Sequence, residues 1–246
     1  MNTLIKLEIL RTLRNKKFMF FSVLYPAMLY LVFTASVKGD ETIGDSKLTF
    51  PVLYMVSMAS FGALTSVLIG NAERIAKERE KGWVRQLRLT SLPGHGYVMS
   101  KMTSASVVSL PAIVAVFLVA AVSKGVRLDA WQWASLLGVI WAGSLVFAAL
   151  GVAIGYTATG DAVRPLAMAV YFLLAALGGL WFPASQFPQW LRNIVEYVPT
   201  HAYAGLGQAI ERGDAPGAKD LVILFFYLVL FAGVAAWMYR KDTHKS

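Results

Sequence analysis

Residues 71–101 read NAERIAKEREKGWVRQLRLTSLPGHGYVMSK. No other part of the chain is so long and so densely charged. It lies between two apolar runs, Pro51 to Gly70 and Thr103 to Ser123, each long enough to cross a bilayer. A charged segment held between two membrane spans must lie on one aqueous side. Its excess of lysine and arginine assigns that side to the cytoplasm. Such a loop is expected to receive force from a soluble partner and pass it to the membrane helices on either side.

Composition agrees. Of the 246 residues, 57% are hydrophobic and 15% charged, whereas a soluble domain carries about a quarter charged residues. The chain is too apolar for water and uses lipid as its solvent. The net charge of +9 sits beside apolar spans, which suits an anionic inner leaflet better than nucleic acid. The absence of cysteine excludes a disulfide framework, a thiolate catalyst and a Cys-ligated metal. The length fits one membrane domain over 1–246 and no separate soluble domain.

Outward from the loop, six spans are expected: Phe18 to Val37, Pro51 to Gly70, Thr103 to Ser123, Trp131 to Tyr156, Leu166 to Phe182 and Leu221 to Tyr239. Pro51 suits a first-turn position, where its missing donor costs little. Pro111 falls inside the third span, where a kink is expected. Gly151 and Gly155 form a small-xxx-small pair. They read equally as a close helix contact or as the ordinary glycine content of a membrane helix. Before the first span, residues 1–17 carry Leu4, Leu7, Leu10 and Leu13 at three-residue spacing, with Lys6, Arg11, Arg14 and Lys17 mostly off that stripe. This predicts an amphipathic interfacial helix, apolar face toward lipid. Most lysines and arginines fall in the segments that six spans place on one side, so both termini are expected in the cytoplasm of a multi-pass plasma-membrane protein.

Residues 183–220, on the outer side, hold Phe187, Trp190, Leu191, Ile194 and Val198 at helical spacing between Pro188 and Pro199. A helix that short cannot cross a bilayer. It either dips in and returns or caps the bundle. Gly178 and Gly179 just before it predict a flexible end to the fifth span.

Catalytic constellations are missing. His95, His201 and His244 are scattered, and the sequence contains no HExxH, GxSxG or GxxxxGK[ST]. No metal site, no cofactor of the chain's own and no catalytic residue is expected, and ATP would be bound by a partner subunit. The spans are nearly free of ionisable residues, which weighs against proton-coupled transport. Energy for any transport comes from elsewhere, and attention returns to the loop.

Within the loop, residues 71–81 read as a helix continuing the second span. Glu73 with Lys77, and Arg74 with Glu78, are spaced to pair along one face. Gly82 is a stop. Trp83, Val84 and Leu87, flanked by Arg85 and Arg88, then form an apolar patch on a second short helix. A patch of that kind, rimmed by basic residues, suits docking to a partner. It equally suits a polybasic segment lying on anionic lipid.

The order of these features resembles the permease subunit of type-two ABC exporters, the family that includes drug-efflux and polysaccharide-export permeases. The motif there is an Glu-Arg pair, a Gly, a Leu and a Thr-Pro before a Lys-led third span. This chain offers Glu78-Arg79-Glu80, Gly82, Leu87, Thr90, Pro93 and Lys101, and on the outer side Pro183, Phe187-Pro188, Trp190-Leu191 and Pro199. It departs from the pattern in two places. Arg85 stands where an acid often follows the Gly, and Ser91-Leu92 interrupt the Thr-Pro pair. The resemblance implies an all-α membrane fold: six spans, an interfacial N-terminal helix, a coupling helix and a short extracytoplasmic re-entrant hairpin before the last span. It implies that Glu78, Arg79, Gly82, Trp83, Arg85, Leu87 and Thr90 contact an ABC ATPase subunit, and that the chain pairs with a second permease copy or homologue. It also implies export, and the apolar spans suit a hydrophobic or amphiphilic cargo such as a drug, antibiotic or lipid. The substrate-binding residues stay unassigned. A reading from another class shares the topology: a membrane scaffold or sensor subunit that transports nothing and has no ATPase partner.

Overall fold

The computed structural model describes residues 2–36, 49–83, 94–158, 160–181 and 187–244. The chain is all-helical. In order come α1 (Asn2–Leu13), α2 (Lys16–Thr34), α3 (Phe50–Glu80), α4 (Gly94–Lys124), α5 (Ala130–Thr157), a single 3-10 turn (Gly160–Ala162), α6 (Val163–Leu177), α7 (Gln189–Val195), α8 (Pro199–Glu211) and α9 (Ala218–His244). Six of these, α2 to α5, α6 with its preceding turn, and α9, are long and apolar enough to span a membrane. They fall on the six expected runs, and several are longer than expected at the basic end. At about 1.5 Å per residue, a helix of 31 residues extends roughly 15 Å beyond a 30 Å hydrocarbon layer. For α3 that excess is the charged stretch after Gly70.

The helix boundaries have local causes. Pro51 occupies the first turn of α3, after Thr49. Gly82, at φ +66°, takes the left-handed conformation that ends α3, and its N–H donates to Arg79 O at 3.0 Å. At the start of α5, Asp129 and Gln132 form a reciprocal capping box, with Gln132 Oε1 accepting from Asp129 N at 3.0 Å.

The bundle is built around α3. Of its most apolar stretch, 78% is buried, against 11% for α9. Lipid supplies no hydrophobic drive between helices, so they associate through close packing. Glycine provides it. A Cβ on Gly151 would lie 2.7 Å from Leu68 O, and one on Gly155 would lie 2.8 Å from Ile75 Cβ. The Gly151/Gly155 pair is therefore the seam where the backbone of α5 meets α3. Gly62 does the same for Pro26 of α2, whose ring carbon would stand 2.7 Å from the added atom.

At the end away from the charged loop, where residue spacing predicts one short helix and the family resemblance a hairpin, there are two helices. α7 ends at Val195, and a second helix, α8, begins at Pro199. α7 leaves Trp190 and Ile194 exposed, whereas α8 is buried along most of its length. Tyr203 of α8 donates to Ile140 O at 2.7 Å, its ring lying over Gly143 of α5. Thr200 donates to Leu174 O at 2.7 Å. Gln132 donates to Ile210 O at 3.1 Å. Gly178 is thus a place of close approach, since a Cβ there would collide with Thr200, rather than only a flexible end.

Candidate functional site

The last three turns of α3 carry Glu73, Arg74, Lys77, Glu78, Arg79 and Glu80. A polar face of that density, continuing a buried span, has to find partners. It finds them on other helices more than on its own. Glu73 accepts an ion pair from Arg164 of α6 at 3.2 Å. Arg74 pairs with Glu8 of α1 at 3.5 Å. Glu78 Oε1 accepts from Lys101 of α4 at 2.7 Å and from Arg11 of α1 at 3.1 Å, while its Oε2 accepts from Tyr97 Oη at 3.1 Å. Arg79 donates to both carboxylate oxygens of Asp242 of α9, at 2.8 and 3.3 Å, and to Gly155 O and Ala158 O at the end of α5, at 3.1 and 3.3 Å. One end of one helix thus holds α1, α4, α5, α6 and α9.

The intrahelical pairs read from the spacing divide. Lys77 and Glu73 meet at 3.8 Å. Arg74 and Glu78 turn away from each other to partners on α1 and α4.

Lys101 is the deepest part of the hub. It is 1% exposed, with its Nζ 2.8 Å from Glu8 Oε1 and 2.7 Å from Glu78 Oε1. A buried ammonium survives only with close counter-charges and satisfied donors, and two carboxylates supply them. With Arg11 and Arg74 the group holds three cations and two anions. Burial pushes the Glu8 carboxyl up, but Lys101, Arg74 and Arg11 overcome it and hold it below its ordinary value. The backbone of α1 joins in, since Thr12 Oγ1 donates to Glu8 O at 2.9 Å. With Glu8 and Thr12 inward, Leu7, Leu10 and Leu13 stay exposed, the orientation expected of an interfacial helix.

Of the residues expected to contact an ATPase, Glu78 is buried in this hub and Arg79 is clamped to α5 and α9. Gly82 ends α3, and Trp83 follows it with its side chain 42% exposed. Arg85, Leu87 and Thr90, with the rest of the expected second short helix, lie outside the described residues. The structure therefore brings Glu78 and Arg79 together with residues that sequence reasoning had not placed at this site: Glu8, Arg11, Tyr97, Lys101, Arg164 and Asp242. A signal existed for two of them. Glu8 is the one acid among the first seventeen residues, and Lys101 leads the third span.

The sequence is similar to those of known proteins. A family model described as ABC-2 type transporter matches residues 1–211. The chain belongs to the ABC-2 type transporter family. One relative, "Putative transport permease YvfS" of Bacillus subtilis (strain 168), is 30% identical over 237 residues, 96% of this chain and 95% of that protein. The chain is thus an ABC transporter permease and a multi-pass membrane protein, of a family that normally works with an ATPase subunit.

No group of histidines and carboxylates capable of holding a metal occurs among the described residues. Charge is instead paired into a junction between helices. What the arrangement can do is carry displacement from the end of α3 to five other helices.

Proposed function

We propose that this permease moves a hydrophobic or amphiphilic compound out of the cell, driven by a separate ATPase subunit that docks on the segment beginning at Trp83. The observation that carries the reading is the hub. A push on the chain just past Gly82 reaches α1, α4, α5, α6 and α9 through Arg74, Glu78, Arg79 and Glu73, each within 2.7–3.5 Å of its partner. In this scheme Trp83, Arg85, Leu87 and Thr90 meet the ATPase. Glu78 and Arg79 act as positioning residues that hold the docking segment to the spans, and Gly82 is the joint between the two.

Closure of the ATPase would bias the spans between inward-open and outward-open arrangements, a population shift set by the different contacts each state makes. Both termini and the hub then face the cytoplasm of a plasma-membrane protein. The α7–α8 segment forms the extracytoplasmic re-entrant hairpin, and a second permease copy completes the pathway. The α2–α3–α6 side supports an apolar or aromatic cargo. Phe61 lies 4.9 Å from Tyr171 and 5.8 Å from Trp181 between ring centroids, with Tyr25 and Phe172 exposed beside them.

The test is direct. The chain, purified from its native membrane, should bring down a protein with a GxxxxGK[ST] motif. The double variant Trp83→Asp/Leu87→Asp should insert normally, keep ATP hydrolysis in the complex and lose transport. Unchanged transport in that variant would overturn the docking assignment.

A further inference from the structure

α1 covers one side of the hub. Its inward face is consumed by Glu8, which reaches Lys101 at 2.8 Å and Arg74 at 3.5 Å, and by Arg11, which reaches Glu78 at 3.1 Å. Its other face is open. Leu7, Leu10 and Leu13 are exposed, as are Lys6, Arg14 and, just beyond, Lys16 and Lys17. A shallow groove of about 300 Å³ runs along that face, lined by Ile5, Lys6, Ile9 and Leu10. Apolar side chains flanked by unburied cations are what an anionic membrane surface binds, acyl chains against the leucines and headgroups against the lysines and arginines.

We propose that α1 binds anionic lipid headgroups of the leaflet beside the hub, and that its seating there is transmitted to the loop after α3 through Glu8, Lys101 and Glu78. Charge complementarity fixes the occupant. The exposed charges of α1 and of the turn into α2 are all positive, its one acid being Glu8, which is turned inward. The path is short, because Lys101 touches both carboxylates: Glu8 belongs to the lipid-facing helix and Glu78 lies four residues before Gly82. A displacement of α1 pulls on the end of α3 directly through Arg11–Glu78 and Glu8–Arg74, and through Lys101, which Glu8 and Glu78 share. The significance of that motion rests on the ATPase-docking reading above, whereas the motion itself does not.

The cysteine-free sequence allows single spin labels at Leu13→Cys on α1 and Lys81→Cys at the end of α3. The protein is placed in nanodiscs of phosphatidylcholine alone or with added phosphatidylglycerol. The anionic discs should reduce the mobility of both labels. With Glu8→Ala/Arg11→Ala, which removes both of α1's side-chain links to the hub, the Leu13→Cys label should still respond and the Lys81→Cys label should not. With Lys6→Gln/Arg14→Gln/Lys16→Gln/Lys17→Gln, which alters exposed side chains only, neither should respond. A Lys81→Cys label indifferent to lipid charge in the otherwise unaltered chain would overturn the proposal. So would one that still responds in the quadruple variant. Loss of a copurifying ATPase in the quadruple variant, with lipid response retained, would assign the surface to a protein instead. Failure to copurify any ATPase would sink the docking reading and leave the label result standing.

Discussion

Arg79 and Asp242, 163 residues apart in sequence, face each other in a two-point ion pair, Nη2 to Oδ1 at 2.8 Å and Nε to Oδ2 at 3.3 Å. The same guanidinium lies 5.1 Å from the centroid of the Tyr156 ring and donates to two carbonyls at the end of α5. One planar cation therefore closes the last span onto the second and fourth. Its fork geometry is what a lysine lacks.

Replacing Arg79 by Lys should preserve the charge and lose the fork. Because Asp242 remains partly exposed, the expected cost is modest, about 1–2 kcal/mol. It should register as a lower thermal midpoint of the purified protein in detergent. An unchanged midpoint would show that the clamp contributes nothing to stability.

The α3–α5 seam gives a sharper contrast. Gly151→Ala places a methyl 2.7 Å from Leu68 O, a backbone atom that cannot rotate away, so the two helices must separate. A loss of roughly 1–3 kcal/mol is expected. Gly138, on the same helix, has nothing within 4 Å of its added Cβ. Gly138→Ala should be neutral or stabilising by up to about 1 kcal/mol. Equal effects at both positions in thermal unfolding would contradict the packing.

Tyr203→Phe removes the donor to Ile140 O in a side chain with no exposed surface. A cost of about 1 kcal/mol is expected, since the ring contacts survive. The shift should be readable in detergent unfolding, with the fold intact by circular dichroism.

pH should act through Glu211. Both its carboxylate oxygens are buried without a hydrogen-bond partner among the described residues, at the last residue of α8. Burial pushes its carboxyl well above the ordinary 4.5, and Arg212 only partly opposes this. The folded state therefore holds the proton more tightly than the unfolded one. Its contribution is fully present below pH 4.5 and is lost as pH rises toward the raised folded value. Glu211→Gln should match the unaltered protein near pH 4 and exceed it in thermal midpoint at pH 7–8. A difference that grows toward acid instead would reverse the assignment.

The fold was legible because lipid imposes a simple code. Six apolar runs, a basic bias on one side and Pro51 and Gly82 at the ends of α3 are each local, and each reads directly as a helix or its limit. Trp83 is exposed immediately past Gly82, and the second short helix expected to carry it lies outside the described residues. The charged hub was not legible, because its members lie 23, 67 and 163 residues apart and the spacing of charges along one helix does not say which will look outward. Arg74 and Glu78 show it, since an i,i+4 spacing predicted a pair and burial beside Lys101 and Glu8 supplied better partners. α8 escaped for a related reason. Its residues Ala202, Ala204, Gly205 and Gly207 are small, too weak a pattern for a helix until Tyr203 and Thr200 have carbonyls of α5 and α6 to reach.

By itself, the sequence determined the solvent of this protein and its six membrane spans, since hydropathy acts residue by residue along the chain. Only the tertiary structure decided which helix sits at the centre and that Lys101 shares two carboxylates from different helices. Packing and ion pairing depend on which side chains meet in space, and that is fixed only when all the helices are in place.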